Sequence, residues 1–270
     1  MRQLAQAISE RHPANLSPLS LKISAQELTP LTNEINRLMQ ALAETIEREK
    51  QFTNEAAHEL RTPLAVLRIH SENALAAEDE VSRQQSLHKM LQALDRSDRL
   101  IRQLLTQARI DNQQGLVLTE LEVGHLLQGT LATLAPIALK KDQQLSLECE
   151  LPQLVMGQAT LLELLFSNLI DNALRYTQPE GEIRVRVLRE GNRVRVDVSD
   201  NGPGIPASAL PRLYERFFRV NPQQGDGVGL GMAIVSRIAQ LHGADLDVHN
   251  RPEGGLEVNV WLPTHTHSQP

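Results

Sequence analysis

The sequence predicts an α+β protein, an N-terminal helical hairpin forming a dimeric four-helix bundle followed by an α/β sandwich domain. Three observations carry this. Up to residue 110, apolar residues recur at the seven-residue spacing of packed helices. Beyond residue 115 the period falls to two, in stretches such as EIRVRVLRE and NRVRVDVSD. Helical stretches lie between the alternating ones, which predicts one mixed sheet covered by helices. The 270 residues suffice for about two domains.

In chain order, RQLAQAISER opens with a short helical piece, and the proline-bearing HPANLSPLS follows as a loop. A long helix then begins. Leu28, Ile35 and Leu42 form one seven-residue series; Leu31, Leu38 and Phe52 fall on another, with Thr45 in its third slot. Two interleaved series predict a coiled-coil seam. A single amphipathic helix packed on its own domain is the alternative, but charged residues fill most positions from Glu44 to Lys50. The helix is expected to reach Ala76, kinked at Pro63, because proline removes a helix hydrogen bond and crowds the preceding turn. AEDEVSRQQ (residues 77–85) breaks the pattern. A second helix carries Leu87, Leu94, Ile101 and Ala108 on one series and Leu91 and Leu105 on the other. A hairpin with a full apolar seam needs partners, and a dimer supplies them as a four-helix bundle.

DNQQG (residues 111–115) ends the helices. LVLTELEV, QLSLECEL, EIRVRVLRE and NRVRVDVSD read as strands, with GNR as the hairpin turn between the last two. Helices are expected near 123–140, 158–175 and 229–242, and a final strand pair near 244–249 and 255–262. THTHSQP reads as a disordered tail whose two histidines lack a further metal ligand. The predicted divisions are 1–49 as a helical linker, 50–112 as the hairpin, 113–263 as the sandwich and 264–270 as the tail. Apolar residues make up 41% and aromatic residues only 3%, so the cores are expected to be aliphatic. A net charge of −6 leaves no strongly basic face, and nucleic acid is not a predicted partner. The single cysteine, Cys149, excludes an intrachain disulfide and fits a reducing compartment. No apolar run approaches the roughly 18 residues of a membrane span.

The chemistry is concentrated in a few short stretches. In AAHELRTP, His58 is followed by Glu59, by Thr62 one helical turn on, and by Pro63. An isolated helix histidine is ordinarily a solvated surface residue, so the stretch decides nothing alone. In NLIDNALRYT, Asn168 and Asn172 share one helix face and need polar partners, which a hydrated Mg²⁺ would supply. Arg175 and Tyr176 at the helix end offer a phosphate contact and a ring beside a base. In DNGPGIP, Asp200 ends a strand, where its carboxylate can accept from an exocyclic amine, and Gly202 and Gly204 let backbone pass close to a flat ligand. A plain turn is the competing reading. RLYERFFRV pairs two of the four phenylalanines and reads either as a hinged lid or as a small helix plugging the core. In GDGVGLGMAI, Gly227, Gly229 and Gly231 precede a helix N-terminus, whose free N–H groups and dipole favour phosphate. The stretch lacks the Gly-Lys-Ser/Thr ending of a P-loop.

These stretches together resemble the cytoplasmic part of a bacterial sensor histidine kinase. FTNEAAHELRTPL is similar to the phosphoacceptor box of that family, NLIDNALRYT to its asparagine box, DNGPGIP and GVGLGMAI to its glycine boxes, and ERFFRV to its phenylalanine box. They occur in the family order over about residues 50–262. ELTPLTNEINRLMQAL resembles the second half of a HAMP signal-relay module, and the wording is closest to sensors of the QseC and PmrB type.

The resemblance implies an ATP-binding domain of the fold shared with gyrase and Hsp90, ATP and Mg²⁺ as cofactors, a homodimer, and the receiver domain of a response regulator as partner. It makes His58 the phosphoacceptor, Glu59 the base that takes the proton from the other ring nitrogen, and Thr62 a group that positions water when the regulator is dephosphorylated. It places Asn168 and Asn172 at Mg²⁺, Asp200 at the adenine amine, and Arg175, Tyr176, Gly202, Gly204, Gly227, Gly229, Leu230 and Gly231 around the nucleotide. Arg175 stands where many members carry lysine, which keeps the charge and changes the geometry. Met232 replaces a common leucine. The chain opens inside what resembles the first HAMP helix, so an upstream membrane part is expected, with the whole protein in the bacterial inner membrane and this region cytoplasmic. Two other readings compete. An ATP-hydrolysing machine of the gyrase or Hsp90 kind would lack the box around His58. A non-catalytic scaffold would not need Asn172, Asp200 and the glycine turns intact.

Overall fold

The computed structural model describes residues 29–111, 116–150, 152–221 and 228–264. The helical piece expected near the N-terminus, Leu28, most of DNQQG, Gly227 and the tail after Thr264 lie outside the described residues. The chain divides into two compact units, Met1–Thr62 and Pro63–Pro270. Helix α1 (Thr29–Ala76) is helical on both sides of that division.

In the first unit, α1 is a solvated helix. Gln40 donates to Glu44 (3.0 Å) and Gln51 to Glu55 (2.8 Å), each across one turn. Leu31, Leu38 and Leu42 of the expected seam are 45%, 63% and 50% exposed. The helix therefore carries an apolar stripe that the described residues leave uncovered.

In the second unit, the end of α1 is joined to α2 (Glu80–Asp111) by three residues. The expected break over residues 77–85 is thus too long. Asp79 caps the new helix, its Oδ1 accepting the Ser82 N–H (2.8 Å) and its Oδ2 the Ser82 hydroxyl (2.6 Å), and helix begins at Glu80. Polarity there marks a helix start rather than a gap. Within the chain, α2 buries Ala93, Leu100 and Gln107, spaced seven apart, together with Ile110. Leu87, Leu91, Leu94, Ile101 and Leu105 of the predicted series stay exposed, on positions other than those the chain buries.

The sandwich follows, with β1 (Thr119–Glu122), α3 (Val123–Leu139), β2 (Gln144–Cys149), β3 (Leu154–Gly157), α4 (Ala159–Tyr176), β4 (Glu182–Glu190), β5 (Arg193–Asp200), α5 (Gly231–Leu241), β6 (Asp245–Asn250) and β7 (Leu256–Pro263). The main sheet has the order β2-β4-β5-β7-β6, parallel between β2 and β4 and antiparallel elsewhere. Its edges are β2 and β6. The alternation read from the sequence holds: Ile183, Val185, Val187, Val194, Val196 and Val198 are buried. They share the core with α4 (Leu162, Leu165, Phe166, Ile170) and α5 (Ile234, Val235, Ile238). The intervening Arg184, Arg186, Arg195 and Asp197 alternate with them and so occupy the other face. Asp197 is fully covered there, with Arg195 Nε at 2.9 Å and Arg186 Nη2 at 3.2 Å. The hairpin at GNR is a two-residue connection, with Gly191 at φ 58°.

The expectation of one sheet needs correction. LVLTELEV is extended only over Thr119–Glu122, and it pairs antiparallel with Leu154–Gly157 in a second, two-stranded sheet. Glu122 then caps α3. Its carboxylate accepts the N–H groups of Gly124 (2.9 Å) and His125, and that of Gln153 (3.1 Å) before β3. Burial works against this charge, but the N–H groups of Gln153, His125 and Gly124 outweigh it and hold the carboxyl below its ordinary value. A carboxyl lowered in the folded state contributes stability above its ordinary pKa, and that stability is lost as pH falls through the folded value. Glu122→Ala should cost about 1–2 kcal/mol by urea denaturation at pH 7. The gap to the parent should shrink below pH 4 or so; an unchanged gap there would assign the loss to packing instead.

Candidate functional site

One cleft gathers most of the sequence-predicted residues of the second unit. The helix α4 presents Asn168, Asp171, Asn172, Arg175 and Tyr176; β5 ends in Asp200; Gly204 follows, and Gly229, Gly231 and Met232 close the side at α5. The periodicity of α4 explains the division of labour. Leu162, Leu165, Phe166 and Ile170 face the core, while Asn168, Asn172 and Arg175 recur at three- and four-residue steps on the side that lines the cleft.

The asparagines are set by the helix itself and by a missing side chain. Asn168 Nδ2 donates to Leu164 O (2.7 Å), which leaves its Oδ1 for the cleft. A Cβ placed on Gly231 would meet that Oδ1 at 3.2 Å and Asn172 Nδ2 at 3.5 Å. Glycine at this N-terminal position of α5 therefore keeps room beside both carboxamides. Arg175 is held by Asp171, whose Oδ2 accepts Nη2 at 2.7 Å. Asp171 was not singled out from the sequence, although its spacing of four from Arg175 is the usual helical ion-pair spacing.

Asp200 is buried at the base of the cleft. Its Oδ1 accepts two backbone N–H groups, from Gly202 (2.9 Å) and Leu256 (3.2 Å), while Oδ2 accepts none among the described residues. Burial raises the carboxyl above its ordinary pKa, against the opposing pull of those two N–H groups and of Arg251. Gly202 thus acts through Asp200 rather than by lining the cleft, and a Cβ there would press on Asp200 Oδ1 at 3.0 Å and Tyr176 O at 3.2 Å. Gly204 has φ 69°, a conformation that favours glycine.

RLYERFFRV (residues 212–220) is irregular, only its first residue closing the 3₁₀ turn Leu210–Arg212 that precedes it. Leu213 is buried and the two phenylalanines are half-buried, so this is not a helix plugging the core. Phe218 lines the cleft with the Arg212 guanidinium 4.3 Å from its ring centroid. Phe217 has φ 60°, and a Cβ on Gly229 (φ 80°) would fall 2.6 Å from the Phe217 carbonyl carbon and 2.7 Å from Phe218 O. The two backbones abut, which only glycine permits. Leu230, expected around the nucleotide, is fully buried and does not line the cleft. Gly227 lies outside the described residues.

Comparison with known proteins agrees with this architecture. Residues 157–266 match the family described as histidine kinase-, DNA gyrase B- and HSP90-like ATPases, residues 48–113 the His Kinase A (phospho-acceptor) domain, and residues 1–44 the PhoQ-like sensor HAMP domain. The sensor protein QseC of Salmonella typhi is 37% identical over 263 residues, covering 96% of this chain and 58% of the relative. The sensor protein BasS of Salmonella typhimurium is 34% identical over 261 residues, covering 94% of this chain and 70% of that protein. The chain belongs to the sensor histidine kinases of two-component systems. Among solved structures, full-length ShkA in complex with AMPPNP aligns with a TM-score of 0.57 and 26% identity, covering 82% of this chain and 47% of ShkA.

In this sensor histidine kinase, His58, Glu59 and Thr62 belong to the first unit. His58 is exposed on α1, Glu59 is half-buried, and Thr62 Oγ1 donates back to His58 O at 3.5 Å. The cleft residues belong to the second unit. Sequence reasoning missed Gln103 of α2, which also lines the cleft; a half-buried glutamine on a polar helix gives no signal that sets it apart. No described helix of the kinase is long and apolar enough to cross a membrane. The chain spans 58% of the QseC relative's length, so the rest of such a protein lies outside this alignment.

Proposed function

We propose that the kinase phosphorylates itself on His58 from Mg-ATP held in the cleft, passes the phosphoryl group to an aspartate of a response-regulator receiver domain, and also removes phosphate from that regulator. The observation that carries the reading is the convergence of Asp200, both asparagines and the glycine turn in one cleft of a chain that also bears an exposed histidine in AAHELRTP. AMPPNP bound to the related ShkA supports a nucleotide there.

Each cleft residue has a task that suits its chemistry. Asp200 Oδ2 accepts from the adenine amine, a donor that guanine lacks at that position. Tyr176 flanks the base, and Arg175 contacts phosphate. The N-terminus of α5 adds N–H groups and the positive end of the helix dipole. Among the described residues no group of three or more His, Cys, Asp or Glu side chains could hold a metal. The hard, neutral oxygens of Asn168 and Asn172 fit Mg²⁺ that is shared with phosphate, as that ion prefers. Asn168 and Asn172 would hold the ion, which would supply charge neutralisation for the transferring group.

A neutral ring nitrogen of His58 attacks the γ-phosphorus. The N–P bond forms, the bond to the β–γ bridging oxygen breaks, and ADP leaves. Attack makes the ring cationic, and Glu59 accepts the proton from the other nitrogen. The phosphoramidate then yields its phosphoryl group to the regulator's carboxylate and His58 is restored. In the reverse duty, Thr62 positions water for attack on the regulator's acyl phosphate. The exposed seam residues Leu38, Leu42, Leu87, Leu94 and Ile101 support a homodimer. The HAMP match supports attachment to the inner membrane through a region upstream of it.

The test is incubation of the chain with γ-labelled ATP and Mg²⁺. Label on the protein that is labile in acid and stable in alkali supports the reading. ATP binding with no label, even when a regulator is supplied in phosphorylated form and is not dephosphorylated, would favour a scaffold. Pro63 supplies a second test. Pro63→Ala restores the N–H that the helix lacks one turn after Glu59. It should stiffen the helix beside His58 and change the ratio of autophosphorylation to regulator dephosphorylation by several-fold; equal ratios would remove Pro63 from the switch.

A further inference from the structure

The turn between β6 and β7 holds the strand end that carries Asp200 by contacts that the activity proposed above leaves unused. Asn250 makes a two-point bridge to the loop after Asp200: its Oδ1 accepts the Ile205 N–H (2.8 Å) and its Nδ2 donates to Ile205 O (2.7 Å). Arg251 Nη1 donates to Asp200 O (3.0 Å), and Arg251 N–H closes the turn on Gly255 O (3.0 Å). At the far end of the turn, Leu256 N–H reaches Asp200 Oδ1 (3.2 Å). The approach is too close for side chains at two points. A Cβ on Gly204 would fall 2.7 Å from Asn250 Oδ1, and one on Gly255 (φ 94°) would fall 1.9 Å from Asp200 O.

These contacts grip the loop at Asp200 and again at Ile205, and Gly202 and Gly204 lie between the two points. The backbone carbonyl and one carboxylate oxygen of Asp200 are both engaged, so the remaining oxygen, Oδ2, has its direction fixed from outside the cleft. The loop has no helix or strand of its own to hold it, being irregular from Asn201 to Pro206. Neither Asn250 nor Arg251 lines the cleft.

We propose that Asn250 and Arg251 are positioning residues for base recognition: they clamp the loop so that Asp200 Oδ2 meets the exocyclic amine of the purine. This rests on the reading of the cleft as an ATP site with Asp200 at the base. The clamp sets selectivity for the amine more than general affinity. Without it the carboxylate samples several directions, and the preference for a purine that offers a donor declines.

The experiment compares the binding of ATP and of purine riboside triphosphate, which lacks the amine, by isothermal titration with Mg²⁺ on the full chain. The ratio of the two Kd values reports the amine contact alone. Asn250→Ala and Arg251→Met should each lower that ratio by about tenfold, through weaker ATP binding, while the amine-less analogue binds as before. Arg251→Lys retains a donor for Asp200 O and should recover part of the ratio. Equal weakening of both nucleotides would mean a structural role, and an unchanged ratio would mean no role; either overturns the proposal. Asp200→Asn is run beside them. If it keeps the full preference for ATP, the reading of Asp200 itself fails and the clamp fails with it. If it loses the preference while the two turn variants keep it, only the clamp fails.

Discussion

His58→Gln is expected to remove all acid-labile label from the protein after incubation with γ-labelled ATP. Glutamine keeps a planar, polar side chain of similar reach, so the exposed helix position should tolerate it. What it lacks is a ring nitrogen with a free electron pair and a second nitrogen to release the proton. The loss should therefore be of chemistry alone. ATP binding should be unchanged, since the cleft is lined by residues of the second unit and His58 belongs to the first. Persistence of the label would move the phosphoacceptor elsewhere, with the exposed His88 and His125 the next to replace. Loss of ATP binding with the label would instead indicate misfolding, and circular dichroism of α1 would separate the two.

Asp200→Asn should have the opposite balance, weakening the ligand and sparing the fold. The carboxylate accepts from the base, and an amide nitrogen in its place would present a donor to a donor. Loss of one charged hydrogen bond corresponds to roughly 10- to 100-fold in the Kd for ATP. Stability should move the other way. Burial raises the Asp200 carboxyl above its ordinary value, so the folded state holds its proton more tightly than the unfolded chain. Its favourable contribution is complete below the ordinary carboxylate pKa and is lost as pH rises through the raised folded value. At neutral pH the ionised group is a net burden. Asparagine keeps an oxygen for the N–H groups of Gly202 and Leu256 and does not titrate. The variant should melt at the same or a higher temperature than the parent at pH 7, with the difference growing as pH rises from the acid side. A lower Tm at pH 7 would show that the charge, not the acceptor geometry, anchors the loop.

How much of this was legible in the sequence depends on the range over which each feature is determined. The strands β4 and β5 were readable because alternation is local: EIRVRVLRE and NRVRVDVSD state their buried faces themselves, and Gly191 marks the turn. The glycines of the cleft were readable as places of close approach. Leu154–Gly157 was not, since four residues hold too little pattern and its partner, Thr119–Glu122, lies more than thirty residues earlier. The start of α2 was misjudged because Asp79 and Ser82 read as loop residues when a cap uses the same chemistry. Asn250 ends a strand and Arg251 follows it, before two glycines, so they look like turn residues. Only the folded chain brings them to Asp200 and Ile205.

The edges of the main sheet have a consequence for assembly. An open edge strand invites a second copy to extend the sheet, and the homodimer proposed above would hold two such domains at high local concentration. On β6, Asp245 and Asp247 are exposed charged residues, Asp245 paired with Arg193, and on β2 Glu148 is another, paired with Arg184. Charged side chains on an edge strand disfavour its pairing with a further strand. The uncovered leucines and isoleucines of α1 and α2 carry no such protection. In the homodimer proposed above, the charged edges would disfavour a union through the sheet and leave the exposed apolar positions of the helices as the surfaces for meeting a second copy.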